Sequence, residues 1–468
     1  MTDTMHRLVL PLVFDAGISP GESSDGNQLT VARDGAGRFV LRGSSLAGAL
    51  RQAWRKRAGD LPGGEEAIFG DTSGGEKEKL LTPSRLEVAD CLIQLPKGGN
   101  LDIRTHNHIN RHTGVVLDQA LFSIESLPPG CTTSVVLWLR AEKDAAVAAA
   151  WIADLGRSLD GGLLLGGRAA RGIGLARLAG TATHRAYNLA DVADCSAYLD
   201  DHRHWRCGNL SAMSVGQPLD TAGGRAESDA LVVDFVLHIP RGQDFVIGSG
   251  TGRQSALEPQ TVIGPEGKTF WRIPGSALRG LFRAWVSRLA AREGLPVSLS
   301  RERFLRLGQA GCTGEDIGWC FLEKPQRTAG GAAQTDCPVA ALFGWLGGRG
   351  RIHITDGLAE VQLELVQKRA HVVVDNVTGG AVEGMLFQNN VVIGHADKPV
   401  RFAVRMRVDS PLEREAKWLA ECLTALDRGL IRVGSSKAAG RLALAETPKA
   451  RGPHAGRFTA IKTSTVKG

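Results

Sequence analysis

The sequence contains no run of about 18 apolar residues, the length a helix needs to span a bilayer. Residues 1–10 also lack the apolar core of a secretory signal peptide. Together these absences predict a cytoplasmic protein with no membrane partner. Cysteine is scarce, at 8 of 468 residues. In a reducing compartment such thiols are buried or bind metal more often than they form disulfides.

Two nucleotide-binding motifs are also missing. Residues 264–269 end in Gly-Lys-Thr, but Val262 stands where a phosphate-binding loop requires its first glycine. The segment Gly172-Ile173-Gly174 lacks the spacing and the preceding strand of a dinucleotide-binding fingerprint. These departures argue against nucleotide hydrolysis and against a dinucleotide cofactor.

Glycine and positive charge are what the sequence has in abundance. There are 59 glycines, the formal net charge is +7, and the pI is about 9.1. Basic character favours an anionic partner without identifying it. The glycines are clustered, which indicates loops whose backbone comes close to another molecule or segment.

The chain repeats itself. Residues 41–58 (LRGSSLAGALRQAWRKRA) resemble residues 273–290 (IPGSALRGLFRAWVSRLA). Three further pairs recur in the same order, namely Ile68-Phe69-Gly70 with Leu342-Phe343-Gly344, Thr113-Gly114 with Thr378-Gly379, and Gly166 and Gly172 with Gly434 and Gly440. Such an ordered recurrence predicts a tandem duplication.

The spacing of these pairs predicts how the chain is divided. The predicted parts are a first domain over 1–185, a linker over 186–228, a second domain over 229–450 with an insertion at about 291–337, and a loose basic tail over 451–468. In each copy, apolar strands alternate with amphipathic helices, and Leu46, Leu50 and Trp54 share one helix face. The pattern predicts an α+β fold with two tandem ferredoxin-like (RRM-like) domains, antiparallel sheets and protruding hairpins.

Several polar positions in the repeated elements are candidates for RNA contacts. A glycine and serine at a helix N-terminus offer N–H groups to a phosphate, and the arginines that follow add charge. Glycine loops that carry cations suit a sugar-phosphate backbone. The candidates are Ser44, Ser45, Arg51, Arg55, His108, Arg111, Thr113, Arg168, Arg171, Ser276, Arg279, Arg283, Thr378, Ser435, Lys437 and Arg441. The alternative is that these are capped helices, solvated arginines and tight turns.

The segments Ile273–Gly280 and Arg42–Gly48, with Cys337-Pro338 ahead of the Leu-Phe-Gly turn, resemble the RAMP superfamily. The likeness is to the backbone subunits of type III CRISPR effector complexes. It implies a tandem-fused subunit that binds guide RNA (crRNA), target RNA and other subunits of the complex. It also implies that a thumb hairpin of each copy kinks the guide, and that an acidic residue cuts target RNA with a divalent metal (Mg or Mn).

The position of the family's acidic residue falls near Asn27 in the first copy and Pro259 in the second. The nearest acids are Asp25 and Glu258. Asp25 is the predicted catalytic residue, and Glu258 is a weak second candidate because the family uses aspartate. RNA supplies its own nucleophile, the 2′-hydroxyl, so a single carboxylate with a metal suffices. The alternative for Asp25 is a solvated residue of an Asp-Gly turn.

Two alternatives to a cleaving subunit remain open at this point. One is a structural crRNA-binding subunit without nuclease activity. The other is a guide-processing ribonuclease that uses His106, His108 or His112 as its base.

The cysteines suggest a structural zinc site. Cys312, Cys320 and Cys337 fall in or beside the insertion of the second copy, with His353 as a guess for the fourth ligand. A rival set is Cys195, His202, His204 and Cys207. Otherwise these are ordinary buried thiols.

Overall fold

A computed structural model provides the structure of the chain. It describes residues 4–25, 28–55, 65–71, 82–106, 122–141, 145–160, 162–167, 172–219, 230–248, 258–295, 297, 337–345, 348–375, 377–434 and 440–463. Contacts divide the chain into two compact units. The first comprises residues 1–103, 124–169 and 174–228, and the second comprises residues 104–123, 170–173 and 229–468.

The helices and strands follow in chain order. Up to residue 218 the strands are β1 (Thr4–Phe14), β2 (Gly21–Asp25), β3 (Gln28–Val31), β4 (Val40–Leu41), β5 (Leu86–Val88), β6 (Cys91–Gln94), β7 (Asp102–His106), β8 (Phe122–Ser126), β9 (Cys131–Ala141), β10 (Leu163–Leu164), β11 (Leu175–Leu178), β12 (Thr183–Asn188) and β13 (Gln217–Pro218). The helices of the same stretch are α1 (Gly43–Arg55), α2 (Glu66–Phe69), α3 (Ala145–Asp160) and α4 (Val192–Arg206).

From residue 230 onward the strands are β14 (Ala230–His238), β15 (Asp244–Phe245), β16 (Thr261–Ile263), β17 (Thr269–Ile273), β18 (Gly344–Trp345), β19 (Gly348–Arg349), β20 (Ile352–Ile354), β21 (Gly357–Glu360), β22 (Val366–Val374), β23 (Ala381–Ile393), β24 (Arg401–Asp409), β25 (Ala443–Leu444) and β26 (Lys449–Arg451). The helices are α5 (Gly275–Arg292), α6 (Pro338–Phe343), α7 (Glu413–Asp427) and α8 (Gly456–Thr459).

The main sheet of the first unit is built around β1 and β9. These strands pair antiparallel from Thr4 opposite Ala141 to Phe14 opposite Cys131, within the order β10-β11-β1-β9-β6-β4. Alternate residues of β1 point to one face, as the two-residue period of a strand requires. That face packs against α1 and α3. The predicted apolar face of α1 is confirmed by the burial of Leu46, Leu50 and Trp54.

The opposite face of the first sheet is covered by α4. Trp138 and Tyr187 are fully buried there, and Trp205 of α4 packs against them. The segment predicted as a linker is therefore folded through residue 219, because β12 pairs with β1 and β13 pairs with β12. Its buried side is aromatic and polar rather than aliphatic, so it did not show as an apolar pattern.

The second unit repeats this plan. Strands β14 and β24 pair antiparallel from Ala230 opposite Asp409 to His238 opposite Arg401, within the order β16-β17-β21-β24-β14-β25. Helices α5, α6 and α7 supply residues to its core. The tail predicted as loose is folded through residue 461, because Phe458 of α8 is fully buried in this core.

These features confirm the predicted fold class, two tandem ferredoxin-like domains with mostly antiparallel sheets. The second predicted hairpin is present as β22 and β23, which pair from Val366 opposite Val392 to Val374 opposite Ala381. Across the described ranges, no helix combines the length and apolar character needed to cross a membrane.

Candidate nucleic-acid interface

The glycine-serine turn of the first unit begins α1 at Gly43. A Cβ at this position would lie 2.5 Å from Val88 O, so the close approach of the backbone requires glycine. The Gly43 N–H donates to Asp90 Oδ1 at 2.8 Å, and Arg42 Nη1 lies 2.9 Å from Asp90 Oδ2. Although partial burial opposes the shift, these contacts lower the pKa of Asp90. Ser44 and Ser45 are exposed beside this contact.

The second unit has the same arrangement at Gly275. Its N–H donates to Asp356 Oδ1 at 2.8 Å. The Asp356 carboxylate is fully buried and also pairs with Arg104 of the same unit. Asp90 and Asp356 each stand immediately before a strand, β6 and β21, which was the signal that sequence reasoning missed. The N–H of each turn glycine is therefore not available to a phosphate, because a carboxylate of the chain accepts it, whereas phosphate binding by the serines of the turn stays a prediction.

Replacing Gly275 with alanine is expected to destabilise the protein by about 1–3 kcal/mol, because the new methyl group overpacks a rigid backbone. Its Cβ would lie 2.2 Å from Ile354 O. Gly280 is the matched control on the same helix, since a Cβ there meets nothing within 4 Å. Gly280→Ala is expected to stabilise by about 0.5–1 kcal/mol. Chemical denaturation measures both, and equal effects would contradict the role given to Gly275.

Two of the predicted arginines bind backbone carbonyls of a Phe-Gly turn. Arg51 donates to Gly70 O at 2.9 Å and pairs with Glu65 at 3.1 Å. Arg279 donates to Phe343 O, the carbonyl before Gly344. These arginines lie about two turns and one turn into their helices, respectively. Simple alignment of the repeats does not match them, so their shared contact could not be found from sequence.

The other RNA-binding candidates fall into two groups. Among the described residues, Ser276 and Arg283 are half-buried, whereas Thr378 and Arg441 are exposed. Outside the described residues lie His108, Arg111, Thr113, Arg168, Arg171, Ser435 and Lys437, together with the side chain of Arg55. For all of them, contact with RNA stays a prediction.

The hairpin of β22 and β23 ends in a Thr-Gly turn closed by Asp375. This carboxylate accepts hydrogen bonds from the backbone of Thr378 at 2.7 Å and Val377 at 2.9 Å, and from the Thr378 hydroxyl at 3.0 Å. The contacts from Thr378 and Val377 lower the pKa of Asp375. Exposed apolar side chains flank the turn, namely Val372, Val373, Val374, Val377, Met385 and Leu386. The hairpin thus presents an apolar surface around a fixed acidic turn.

The recurring glycines of the loops adopt left-handed backbone. Gly172 has φ 93° and Gly440 has φ 89°. A Cβ on Gly440 would lie 1.9 Å from Val433 O, which excludes other residues from this position. These glycines are therefore required by the turns themselves, which agrees with the alternative that the glycine loops are tight turns. Whether they also approach RNA stays a prediction.

The two predicted acids lie in different local structures. Asp25 is the last residue of β2, where it pairs with Gln28 of β3, and not part of an irregular loop. Its side chain is outside the described part of the chain. Glu258 is exposed, and Asn390 Nδ2 of β23 donates to Glu258 Oε1 at 3.4 Å. The second acid thus lies beside the β22–β23 hairpin of its unit.

Of the three cysteines predicted to bind zinc, only Cys337 is among the described residues. Cys337 is buried, and its Sγ accepts a hydrogen bond from Ala340 N at 3.3 Å as the N-cap of α6. Cys312 and Cys320 lie outside the described residues. Within the described ranges, no three His, Cys, Asp or Glu side chains are grouped to hold a metal ion, and this includes the rival set on α4. Zinc binding stays a prediction.

Comparison with protein families gives a match on both copies. A family model described as the RAMP superfamily matches residues 8–177 and 243–441. A comparison with curated proteins gives no match. The two matched regions coincide with the two repeats, and together they cover most of the chain.

Proposed function

The chain belongs to the RAMP superfamily, and we propose that it is a tandem-fused, guide-RNA-binding backbone subunit of a type III CRISPR effector complex. Members of this superfamily are generally associated with CRISPR effector complexes and with RNA binding. The observation that carries the proposal is the double match, one on each repeat. Each matched region holds a glycine-serine turn and a Phe-Gly turn, and in the second region Glu258 lies beside the β22–β23 hairpin.

The charge of the chain supports an RNA partner. The formal net charge is +7, and phosphate contacts dominate the affinity of proteins for nucleic acid. Ser44 and Ser45 are exposed at the start of α1, and Arg441 is exposed after the second glycine loop. These side chains are accessible for the contacts that the proposal requires.

The proposal is tested by purifying the protein with its natural partners from its own cells. We expect it to carry RNA of defined length that ribonuclease removes and deoxyribonuclease does not. The logarithm of the affinity of the isolated chain for single-stranded RNA should fall linearly with the logarithm of salt concentration. A preparation that carries no RNA, with an isolated chain that binds none, would refute the proposal.

We further propose that the first unit cleaves target RNA and that Asp25 is the catalytic residue. The RNA 2′-hydroxyl gives up its proton and attacks the adjacent phosphate, which forms a 2′,3′-cyclic phosphate while the bond from phosphorus to the 5′-oxygen of the next nucleotide breaks and that oxygen takes up a proton. The protein's part is to hold the strand in line for that attack. A divalent ion, Mg or Mn, is proposed as the cofactor, which would stabilise charge on the phosphate when bound. Among the described residues, no three His, Cys, Asp or Glu side chains are grouped to hold such an ion. Loss of cleavage in EDTA tests the requirement.

The second candidate function is structural: the second unit would bind guide RNA without cutting target RNA. The observation in its favour is Glu258, which stands where the family uses aspartate and is hydrogen-bonded to Asn390. A processing ribonuclease is less well supported. Of its candidate histidines, His106 stacks on Phe122 with ring centroids 5.5 Å apart, and the other two lie outside the described residues.

A further inference from the structure

The Phe-Gly turn of the first unit is a charge-balanced contact. Arg51 reaches the turn from α1 and donates to Gly70 O at 2.9 Å. Glu65, which directly precedes α2, lies 3.1 Å from the same guanidinium. Both side chains are largely buried, at 15% and 17% exposure. The positive charge of Arg51 at this turn is therefore balanced by the carboxylate of Glu65.

At the Phe-Gly turn of the second unit, the described charged residues are two arginines, Arg279 and Arg349. Arg279 donates to Phe343 O, and its guanidinium carbon lies 5.8 Å from the centre of the Phe343 ring. Strands β18 and β19 place Arg349 directly opposite Gly344, the glycine of the same turn. Two arginines thus flank one Phe-Gly turn.

The described residues around this pair leave it electropositive. Burial, and after it the charge of Arg349, lower the pKa of Arg279 to about 10. The acid whose charge acts on Arg349 is Asp409, and Arg407 Nε holds that carboxylate at 2.9 Å. The Arg279 Nε is buried and has no hydrogen-bond acceptor among the described residues. Residue Arg349 keeps an exposed surface although burial lowers the pKa of its guanidinium, and Arg279 is half-buried, so a ligand would reach the pair from the Arg349 side.

We propose that Arg279 and Arg349 form an anion site that binds a phosphate of an RNA strand. The inference rests on the proposed function and adds that the two units differ at this turn. Arginine suits the role because its planar guanidinium binds phosphate oxygens with two parallel hydrogen bonds. An anion between the two guanidinium groups would relieve their repulsion. At the corresponding turn of the first unit, Glu65 neutralises Arg51, so the described residues there form no such pair of unbalanced cations.

The test uses the purified full chain and a fluorescein-labelled single-stranded RNA. Arg349→Gln removes the exposed cation without disturbing the Arg279 contact to Phe343. It is expected to weaken RNA binding about tenfold at moderate salt. It should also reduce the slope of log affinity against log salt by about 0.7, the value for one phosphate contact on a single strand. Arg349→Lys should keep most of the slope.

Arg292→Gln is the matched control. This arginine is the last residue of α5, is 68% exposed and lies 3.8 Å from Glu421. It should change neither affinity nor slope. An unchanged slope in Arg349→Gln, with wild-type RNA binding intact, overturns the site and leaves the proposed function standing. No RNA binding by the wild type overturns both.

A final arm distinguishes RNA phosphate from free phosphate. Inorganic phosphate is titrated while thermal unfolding of the wild type and of Arg349→Gln is followed. Phosphate that stabilises only the wild type, together with a reduced RNA slope in the variant, supports the proposal. The same stabilisation with an unchanged RNA slope identifies a site for free phosphate only, and contradicts the assignment to RNA.

Discussion

Asp25→Asn is expected to slow target-RNA cleavage by the assembled complex about a hundredfold or more, since a positioned acid–base group contributes about 10²–10⁴ in rate. Asparagine keeps the size of the side chain but loses the charge that would accept a proton or bind a divalent ion. Because Asp25 ends β2 and pairs with Gln28 through the backbone, the exchange should leave the hairpin folded. The measurement is single-turnover cleavage of a labelled target at saturating guide.

Glu258→Gln provides the matched control in the second unit. The substitution keeps a group that can bind Asn390, so guide binding and cleavage in the first unit should persist. If Asp25→Asn cleaves as fast as the wild type, Asp25 is not the catalytic residue. If Glu258→Gln also removes a cleavage product, the second unit cuts as well. Guide content, measured by extraction of RNA from each variant complex, separates lost chemistry from lost assembly.

Much of the fold could be predicted because the repeated segments are locally consistent. The apolar strands predicted in each copy are present, in the second copy as β14 (Ala230–His238) and β17 (Thr269–Ile273). In β14 the apolar residues form a nearly continuous run, of which Leu231, Val233, Phe235 and Leu237 lie in the core, and such a run of strand length identifies the strand. Recurrence of the glycine-serine turn then identified the second copy of the whole unit.

The contacts of the candidate site could not be predicted, because they join residues distant in sequence. The carboxylates that accept the turn N–H come from Asp90 and Asp356, and only pairing of β4 with β6 and of β17 with β21 brings them there. Likewise Arg349 reaches the Phe-Gly turn through the pairing of β18 with β19. From the sequence alone, Asp90, Asp356 and Arg349 are indistinguishable from ordinary surface charges.

The folded segment after the first repeat was missed for a different reason. Along α4 the buried residues are Asp201 and Trp205, while Val192 and Leu199 are exposed at 85% and 61%. A helix whose aliphatic residues face water and whose aspartate is buried has no apolar stripe to detect. Its attachment to the sheet depends on polar and aromatic contacts that exist only in the folded unit.

Those polar contacts lead to the second large prediction. Asp201→Ala is expected to destabilise the first unit by about 3–5 kcal/mol, because it leaves a buried guanidinium without its carboxylate. Arg7 and Asp201 are 1% and 5% exposed. The same carboxylate accepts from Tyr187 Oη at 2.6 Å and from Ser214 N at 2.7 Å. The measurement is the free energy of unfolding in denaturant, followed by tryptophan fluorescence.

Asp200→Ala is the control next to it. Asp200 is 63% exposed and lies 3.2 Å from Arg203, a surface pair worth about 0–1 kcal/mol. Replacing both buried partners, as Arg7→Met with Asp201→Leu, should recover much of the loss, since no charge is then left buried alone. A double variant as unstable as Asp201→Ala would show that the ion pair itself, and not the orphaned cation, carries the stability.

The pH dependence of stability provides an independent check on the contribution of Asp201 to the free energy of unfolding. Burial would raise the pKa of Asp201, but hydrogen bonds from Ser214 and Tyr187 and the charge of Arg7 outweigh it and lower the pKa below its ordinary value of 3.8. A lowered folded-state pKa means that the stabilisation is present above the unfolded pKa and is lost as pH falls through the folded one. The difference in stability between wild type and Asp201→Ala should therefore shrink only below about pH 4. A difference that shrinks already near neutral pH would assign the effect to another group.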